Sequence, residues 1–173
     1  MEHKGFRGTI TITPEILMAF VRQMADELEA QSFTRLILVN AHGGNFSLGP
    51  VVREINRMDR DIKILLVNPW EFRGVGKTEQ PEVHAGESET SIMLALDAPV
   101  SDDRCDCDPF MDGIKQSDLN TFGVGRLSPV GTWGYPSKSS KTKGQKMIAS
   151  VRKNMIAFIK ERLALLDADP RYG

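Results

Sequence analysis

Three side chains capable of acid, base or ligand chemistry lie within six residues, at His84, Glu87 and Glu89. An imidazole can bind a divalent metal or carry a proton near neutral pH, and a carboxylate is a hard oxygen ligand. The apolar run 92–96 follows, which predicts a loop that leads into a buried helix. If that helix begins near Ala85, Glu87 converges on His84 and Glu89 points elsewhere. The simpler alternative is that both glutamates only complement the helix dipole.

His42 is the second candidate, in the sequence Asn-Ala-His-Gly-Gly-Asn at 40–45. The continuous apolar run 35–40 before it is typical of a strand buried on both faces of a parallel sheet, and ligands bind where such strands end. Gly43 and Gly44 permit a tight turn, and the flanking asparagines can tie the loop down. A structural turn and an anion cradle of backbone amides are the alternatives, although no phosphate-loop or dinucleotide fingerprint is present.

The elements around these loops predict an α/β protein. A strand at 35–40, a helix at about 46–58 and a strand at 62–67 form a βαβ unit. The other predicted elements are a short strand at 9–13, a helix at 15–30 capped by Thr13 and Pro14, and a last helix at 143–166. Residues 97–142 show little periodicity and indicate a long functional or interface-forming excursion. The length predicts one domain, residues 1–173.

The composition of the chain argues against some classes of binding partner. The 173 residues include 22 lysines and arginines and 23 acidic residues, so the net charge of -1 indicates neither a nucleic-acid partner nor an anionic membrane surface. No apolar run approaches the roughly 18 residues that span a bilayer, and no signal peptide is evident, which predicts a cytoplasmic protein. Cys105 and Cys107 favour free thiols over a disulfide or a thiolate zinc site.

Three ordered motifs carry a family resemblance. The chain resembles the creatininase (creatinine amidohydrolase) family at Glu2-His3 with Gly8-Thr9-Ile10, at 40–45 and at 84–91, and more weakly at 131–134 and 143–144. No Gly-x-Ser-x-Gly elbow, His-Glu-x-x-His helix or cysteine with a plausible histidine partner competes with this interpretation.

The resemblance implies a three-layer α/β/α fold with a mostly parallel sheet, assembled as a homo-oligomer, commonly a hexamer. It also implies two divalent metal ions, zinc with manganese or iron, that activate water to hydrolyse a non-peptide or unusual amide such as creatinine, a formamide or a related small molecule. By resemblance, His42 is a metal ligand, His84 is the general acid or base, and Glu89 stabilises or orients the reacting group.

Two departures from the family pattern refine these expectations. By this resemblance, creatininase itself has a glutamate at the position of Gly44 and an apolar residue at the position of Glu87. We therefore expect Glu87 to supply the metal ligand that Gly44 cannot. That pattern resembles the branch with formamide hydrolases and peptide-trimming enzymes. The family's Glu-x-His pair and bridging aspartate lie upstream of Glu2, so we expect an N-terminally truncated domain without the first strand and helix. The alternative is a catalytically inactive homologue that acts as a binding or assembly subunit.

Overall fold

The computed structural model describes residues 2–73, 78 and 80–168. Its two strands are β1 (Arg35–Val39) and β2 (Lys63–Val67). The α-helices within these ranges are α1 (Pro14–Ala30), α2 (Leu48–Arg57), α3 (Glu87–Ala95), α4 (Leu119–Phe122), α5 (Val124–Leu127) and α6 (Lys141–Ala168). Short 3-10 helices occur at Pro69–Phe72, Pro109–Asp112, Gln116–Asp118 and Pro136–Lys138.

The chain divides into two compact units. Unit 1 comprises Met1–Thr11 and Arg73–Val151, and unit 2 comprises Ile12–Phe72 and Arg152–Gly173. Each candidate loop therefore belongs to a different unit, since His84 lies in unit 1 and His42 in unit 2. The single domain expected from the length stays a prediction.

The predicted βαβ unit is confirmed in unit 2. β1 and β2 pair in parallel, in a register that runs from Arg35 opposite Lys63 to Val39 opposite Val67, and α2 connects them. A parallel pair needs such a crossover because a hairpin cannot join strands that run in the same direction. The α/β class and the parallel pairing expected from the sequence are both confirmed, and the sheet within the described residues has two strands.

The core of unit 2 lies between β1–β2 and the apolar faces of α1 and α2. Thr13 caps α1 with its hydroxyl and Pro14 occupies the first turn, as predicted. The fully or nearly buried side chains are Val21, Ala25, Leu48, Val51, Val52, Ile55, Ile62 and Ile64. Each buried valine, leucine or isoleucine side chain contributes about 1.5–3 kcal/mol, so this cluster is the main source of stability in unit 2.

The prediction of a strand at 9–13 is wrong. These residues are within the described ranges and form no strand, and Ile10 is 96% exposed. Alternation of β-branched residues favours a strand only where a neighbouring strand supplies hydrogen bonds and a packing surface. Thr13 instead takes the conformation that caps α1.

Unit 1 contains α3, the short helices α4 and α5, and the first part of α6. A Cβ at Gly144 in α6 would overlap the carbonyl oxygen of Ser91 in α3 and would lie 2.8 Å from the Ala95 Cβ. Only glycine permits this close crossing. Residues 97–142, unassigned from the sequence, contain short helical turns joined by loops rather than long elements.

α6 is the longest helix in the described ranges, with 28 residues. It carries lysines and arginines along its whole length, including Lys141, Lys146, Arg152 and Lys160. Neither α6 nor any other helix described here combines the length and apolar character that crossing a membrane requires.

Candidate functional site

The backbone at His84 is fixed by an antiparallel bridge to Trp133. The His84 amide donates to the Trp133 carbonyl at 3.1 Å, and the Trp133 amide donates to the His84 carbonyl at 2.7 Å. Trp133 is fully buried, and its ring lies 5.0 Å from that of Phe110. Trp133 is therefore a packing anchor that holds the backbone of the candidate histidine in unit 1.

Glu89, rather than Glu87, converges on His84. Glu89 Oε2 lies 3.7 Å from His84 Nδ1 and accepts a 2.6 Å hydrogen bond from the Ala85 amide. The expectation that Glu87 would face His84 was wrong because α3 begins at Glu87, not near Ala85. Gly86 is the N-cap, so Glu89 is the third helical residue, whose side chain commonly reaches back over the preceding turn.

The turn between His84 and α3 is strained. Ala85 has a φ of 50°, in the left-handed region that a residue with a Cβ rarely adopts. The Glu89 carboxylate holds this conformation through its hydrogen bond to the Ala85 amide. Strained backbone persists where the surroundings determine it, and such positions cluster at functional sites.

Glu87 is buried and its carboxylate pairs with Lys143. Glu87 is 4% exposed, and its Oε1 accepts a charged hydrogen bond from Lys143 Nζ, which also donates to the Lys138 carbonyl at 3.0 Å. A buried carboxylate needs such a partner because desolvation of an unpaired charge is costly. The pair ties the first turn of α3 to the start of α6. A metal ion at Glu87 would have to share the carboxylate with Lys143 or displace it, and the metal-ligand role stays a prediction.

Glu82 is a residue of this site that was not predicted from the sequence. Its Oε2 accepts from the Ser88 amide at 3.0 Å, and its Oε1 lies 3.5 Å from Arg73 Nη1. Arg73 also donates to Ser88 Oγ at 2.8 Å. Because the N-cap is Gly86, which has no side chain, a carboxylate from outside the helix satisfies the first turn of α3. The glycine at the N-cap was the signal that an external capping group is required.

His3 lies beside His84 in unit 1. The two imidazole centroids are 4.3 Å apart and the rings are tilted by 42°. The preceding residue, Glu2, accepts a 2.9 Å hydrogen bond from the Val124 amide, which fixes the segment that carries His3. From the sequence, His3 was named only as part of the Glu2-His3 family motif and was given no role of its own. The only available signal was its position in the Glu-His pair before a glycine-containing turn.

Asn40 organises the His42 loop in unit 2. Asn40 Oδ1 accepts from the His42 amide and from Asn45 Nδ2, both at 3.2 Å, and Asn40 Nδ2 donates to Asn68 Oδ1 at 3.1 Å. The predicted role of Asn40 and Asn45 in tying down this loop is confirmed. Asn40 is 6% exposed, so these hydrogen bonds satisfy polar atoms that water does not reach.

The His42 ring has a defined hydrogen bond within its own loop. Its Nδ1 accepts from the Gly44 amide at 2.9 Å. A neutral imidazole that accepts a hydrogen bond at Nδ1 carries its proton at Nε2. The protonated Nε2 has no lone pair with which to bind a metal. Metal binding through Nε2 therefore requires the His42–Gly44 hydrogen bond to open, and the ligand role of His42 stays a prediction.

Tyr135 follows the second bridge of unit 1, between Cys107 and Gly134. Its hydroxyl donates to Asp108 Oδ2 at 2.7 Å, and this hydrogen bond raises the pKa of the Tyr135 phenol. The phenol therefore keeps its proton and acts as a hydrogen-bond donor rather than as a base. Cys107 and Cys105 are free thiols, as expected.

Comparisons with known proteins agree with the motifs. The family model described as "Creatininase: Creatinine amidohydrolase" matches residues 1–159. A "Mycofactocin precursor peptide peptidase" of Mycobacterium ulcerans (strain Agy99) is 28% identical over 163 residues, which cover 91% of this chain and 60% of that protein. Its counterpart in Mycolicibacterium smegmatis (strain ATCC 700084 / mc(2)155) is 26% identical over 155 residues, 87% of this chain and 58% of that protein. The chain thus spans about three fifths of the length of these curated relatives.

Several solved structures that superpose on this chain are creatininases. "Creatininase Mn" superposes with a TM-score of 0.74 at 24% identity and covers 91% of this chain and 68% of that chain. A mutant creatininase complexed with creatine superposes with a TM-score of 0.72 at 24% identity, over the same shares of the two chains. At this identity the likeness establishes the fold alone.

Proposed function

Because the chain belongs to the creatininase family, we propose that it forms the greater part of a metal-dependent hydrolase that cleaves an amide C–N bond. The observation that carries this proposal is the pairing of His84 with Glu89 at the start of α3, where Nδ1 and Oε2 are 3.7 Å apart. An imidazole oriented by a carboxylate is the usual arrangement for proton transfer to a leaving nitrogen.

His84 is the proposed general acid or base. Its backbone is fixed by Trp133, and its side chain is 27% exposed, so a substrate can reach the ring. Glu89 is the proposed orienting group. Its carboxylate already holds the Ala85 amide, so Glu89 can steady both the turn and the imidazole. A positioned imidazole of this kind contributes about 10²–10⁴-fold to the rate of such reactions.

His42 and Glu87 are the proposed metal ligands. Imidazole nitrogen and carboxylate oxygen together suit zinc, manganese or iron, and the family pattern calls for two ions. Divalent ions at such a site supply Lewis acidity and lower the pKa of coordinated water. Each ligand has a protein partner to release or share, Gly44 for His42 and Lys143 for Glu87, so affinity for the ions is expected to depend on these two contacts.

The proposed substrate is a peptide amide, with creatinine and formamides as alternative small-molecule substrates. The names of the curated relatives support the peptide, and one solved creatininase carries creatine. This chain spans about three fifths of the length of these relatives, so the substrate of the whole protein stays a proposal. A homo-oligomer, a hexamer by resemblance, and a cytoplasmic location are kept as proposals from the sequence.

A catalytically inactive binding or assembly subunit is the second candidate function. Unit 2 exposes large apolar side chains, among them Phe20 at 62%, Ile16 at 56% and Val39 at 49%. Such side chains favour contact with another polypeptide. Glu87 accepts a hydrogen bond from Lys143, and His42 accepts one from the Gly44 amide. Both contacts are also consistent with a protein that no longer binds metal.

Hydrolysis assays with metal-stripped and reloaded protein separate the two functions. The protein would be treated with a chelator, reloaded with Mn²⁺ or Zn²⁺, and assayed on a peptide panel, creatinine and formamides. An active enzyme regains turnover with the ion, and His84→Gln abolishes it while Glu161→Gln, an exposed change on α6, does not. Oligomer formation without turnover, at full metal loading, favours the assembly subunit.

A further inference from the structure

Cys105 and Cys107 are two thiols of unit 1 that the proposed hydrolysis does not use. Both are free, Cys105 is exposed and Cys107 is partly buried. The Cys107 sulfur lies 3.4 Å from the buried Ser128 hydroxyl, whereas the Cys105 thiol donates at 3.5 Å to the carbonyl of exposed Asp103. An oxidant in solution therefore reaches Cys105 first, and a second thiol follows one residue later, which is typical of redox-sensitive pairs.

The backbone at Cys107 is held by a later segment of unit 1. Cys107 and Gly134 exchange two backbone hydrogen bonds, of 3.1 and 2.7 Å. The Asp106 carboxylate accepts from the Ser137 amide at 3.0 Å and also from the Ser137 hydroxyl. A change of backbone conformation at Asp106 and Cys107 therefore breaks contacts with two residues of that segment.

The same segment supports the candidate histidine. Trp133 directly precedes Gly134 and exchanges two backbone hydrogen bonds with His84, of 3.1 and 2.7 Å. A Cβ at Gly134 would lie 2.9 Å from the Cα of Gly86, so this backbone lies directly against the turn before α3. Consecutive residues of one segment thus bind His84 and Cys107, so a displacement of Cys107 is transmitted to the support of His84.

A disulfide between Cys105 and Cys107 requires the chain to bend. Cys107 lies in an antiparallel bridge, where the backbone is extended. Residues two apart in an extended chain have Cα atoms about 6.6 Å apart, whereas most disulfides join Cα atoms about 5.5–6 Å apart. Closure of the ring therefore turns the backbone at Asp106 and draws Cys107 away from Gly134.

We propose that Cys105 and Cys107 form a reversible disulfide on oxidation by a peroxide, and that this disulfide weakens the backbone support of His84. Hydrogen peroxide converts the Cys105 thiol to a sulfenic acid and is reduced to one water. The Cys107 sulfur then attacks the sulfenic sulfur, the S–S bond forms, and the hydroxyl leaves with the Cys107 proton as a second water. A dithiol reductant restores both thiols by exchange.

The first test is peroxide treatment of the reduced protein, followed by thiol counting, non-reducing electrophoresis and mass spectrometry. The sequence has two cysteines, and wild type is expected to lose both thiols and two hydrogen atoms while it remains a single chain on the gel. Cys105→Ser and Cys107→Ser are matched controls that keep one thiol each and cannot close the ring. A disulfide between two chains, or sulfenic acid without ring closure in wild type, contradicts the proposal.

Amide hydrogen exchange tests the effect on the supporting segment. In oxidised wild type, the amides of Trp133 and Gly134 are expected to exchange at least about tenfold faster than in reduced wild type, because their hydrogen bonds are weakened. Peroxide-treated Cys105→Ser should keep the protection of the reduced protein. Unchanged exchange at both amides, in protein shown to contain the disulfide, overturns the coupling to His84.

An activity readout distinguishes this inference from the proposed function, on which only the change in hydrolysis rests. If hydrolysis occurs, the disulfide should lower wild-type turnover by at least about tenfold, since small displacements of a reacting group are costly. Dithiothreitol should restore turnover, and Cys105→Ser should keep it in peroxide. If no hydrolysis occurs, thiol counting and hydrogen exchange still decide the disulfide and its effect. Full turnover by the oxidised wild type removes the regulatory role.

Discussion

The His42 loop and the His84 loop are built in opposite ways. Asn40 and Asn45 close the first loop through side-chain hydrogen bonds within five residues. The second loop is held mainly by distant residues, since Trp133 pairs with the His84 backbone and Lys143 pairs with Glu87 across 56 residues. The conformation of a loop with its own internal hydrogen bonds can be predicted from its sequence. The conformation of a loop held by distant residues can be known only from the folded structure.

The largest effect is expected from a variant of the second loop that lacks the proton-carrying imidazole. His84→Gln keeps a polar side chain and leaves the backbone bridge to Trp133 available, but it cannot carry a proton. We expect turnover to fall by about 10²–10⁴-fold, measured as initial rates on the best substrate from the panel. Unfolding temperature should stay near that of wild type. An active His84→Gln would assign proton transfer to another residue.

The next effect tests the long-range support of the second loop. Gly144→Ala places a Cβ against the Ser91 carbonyl, so α3 and α6 must separate. We expect a loss of about 3 kcal/mol in the free energy of unfolding, at the upper end of overpacking, measured by urea denaturation. Gly49→Ala is the matched control in α2 because its Cβ meets no atom within 4 Å. It should stabilise the protein by about 0.5–1 kcal/mol.

The first loop is expected to be sensitive to one side chain of its own. Asn40→Ala leaves the His42 amide and Asn68 Oδ1 without their partner. We expect a loss of about 1–3 kcal/mol by urea denaturation, because the network is buried. Asn120→Ala, at an exposed position in α4, should stay within about 0.5 kcal/mol of wild type. Equal effects of the two variants would contradict the closed network.

The strained backbone at Ala85 in the second loop can be tested by substitution with glycine. Ala85→Gly relieves the positive φ of the second loop, and Ser32→Gly relieves a φ of 67° just after α1, where the Ser32 and Phe33 amides bond back to the helix. We expect each to stabilise by up to about 1 kcal/mol in thermal unfolding, offset in part by added unfolded-state entropy. Ala25→Gly, inside α1, should have the opposite sign. Destabilisation by Ala85→Gly would show that the turn is not strained.

The smallest effect concerns acid stability in unit 2. Arg60, by donating to Glu29, lowers the pKa of that carboxyl below 4.5, and the Ile62 amide adds to this. A depressed folded-state pKa gives stability that is present above the unfolded value and is lost as the pH falls through the folded value. Glu29→Gln should therefore flatten the dependence of unfolding free energy on pH below about 4.5. Exposed Glu27→Gln is the charge-matched control and should keep the wild-type slope.

Local signals explain what could be predicted. The cap at Thr13, the parallel strands β1 and β2, and the asparagines at 40 and 45 depend on neighbours in sequence or on periodicity. The orientation of Glu87 and Glu89 was reversed because the helix was expected near Ala85 and begins at Glu87. An error of two residues turns a helix face by about 200°.

Long-range partners explain what could not be predicted. Lys143 for Glu87 and His3 for His84 come from segments whose proximity no local pattern encodes. The strand expected at 9–13 failed for the related reason that its alternation had no neighbouring strand within the described residues. The ligand roles of His42 and Glu87 depend on metal binding and stay predictions.

The proposed function is hydrolysis of an amide by a metal-dependent site in which His84 transfers the proton. The most direct measurement is product release from the peptide and small-amide panel by protein stripped of metal and then reloaded with Mn²⁺ or Zn²⁺. We predict that turnover disappears on stripping, returns with the ion in wild type, and stays absent in His84→Gln. Turnover that survives stripping, or folded and fully reloaded wild-type protein that cleaves nothing on the panel, would contradict it.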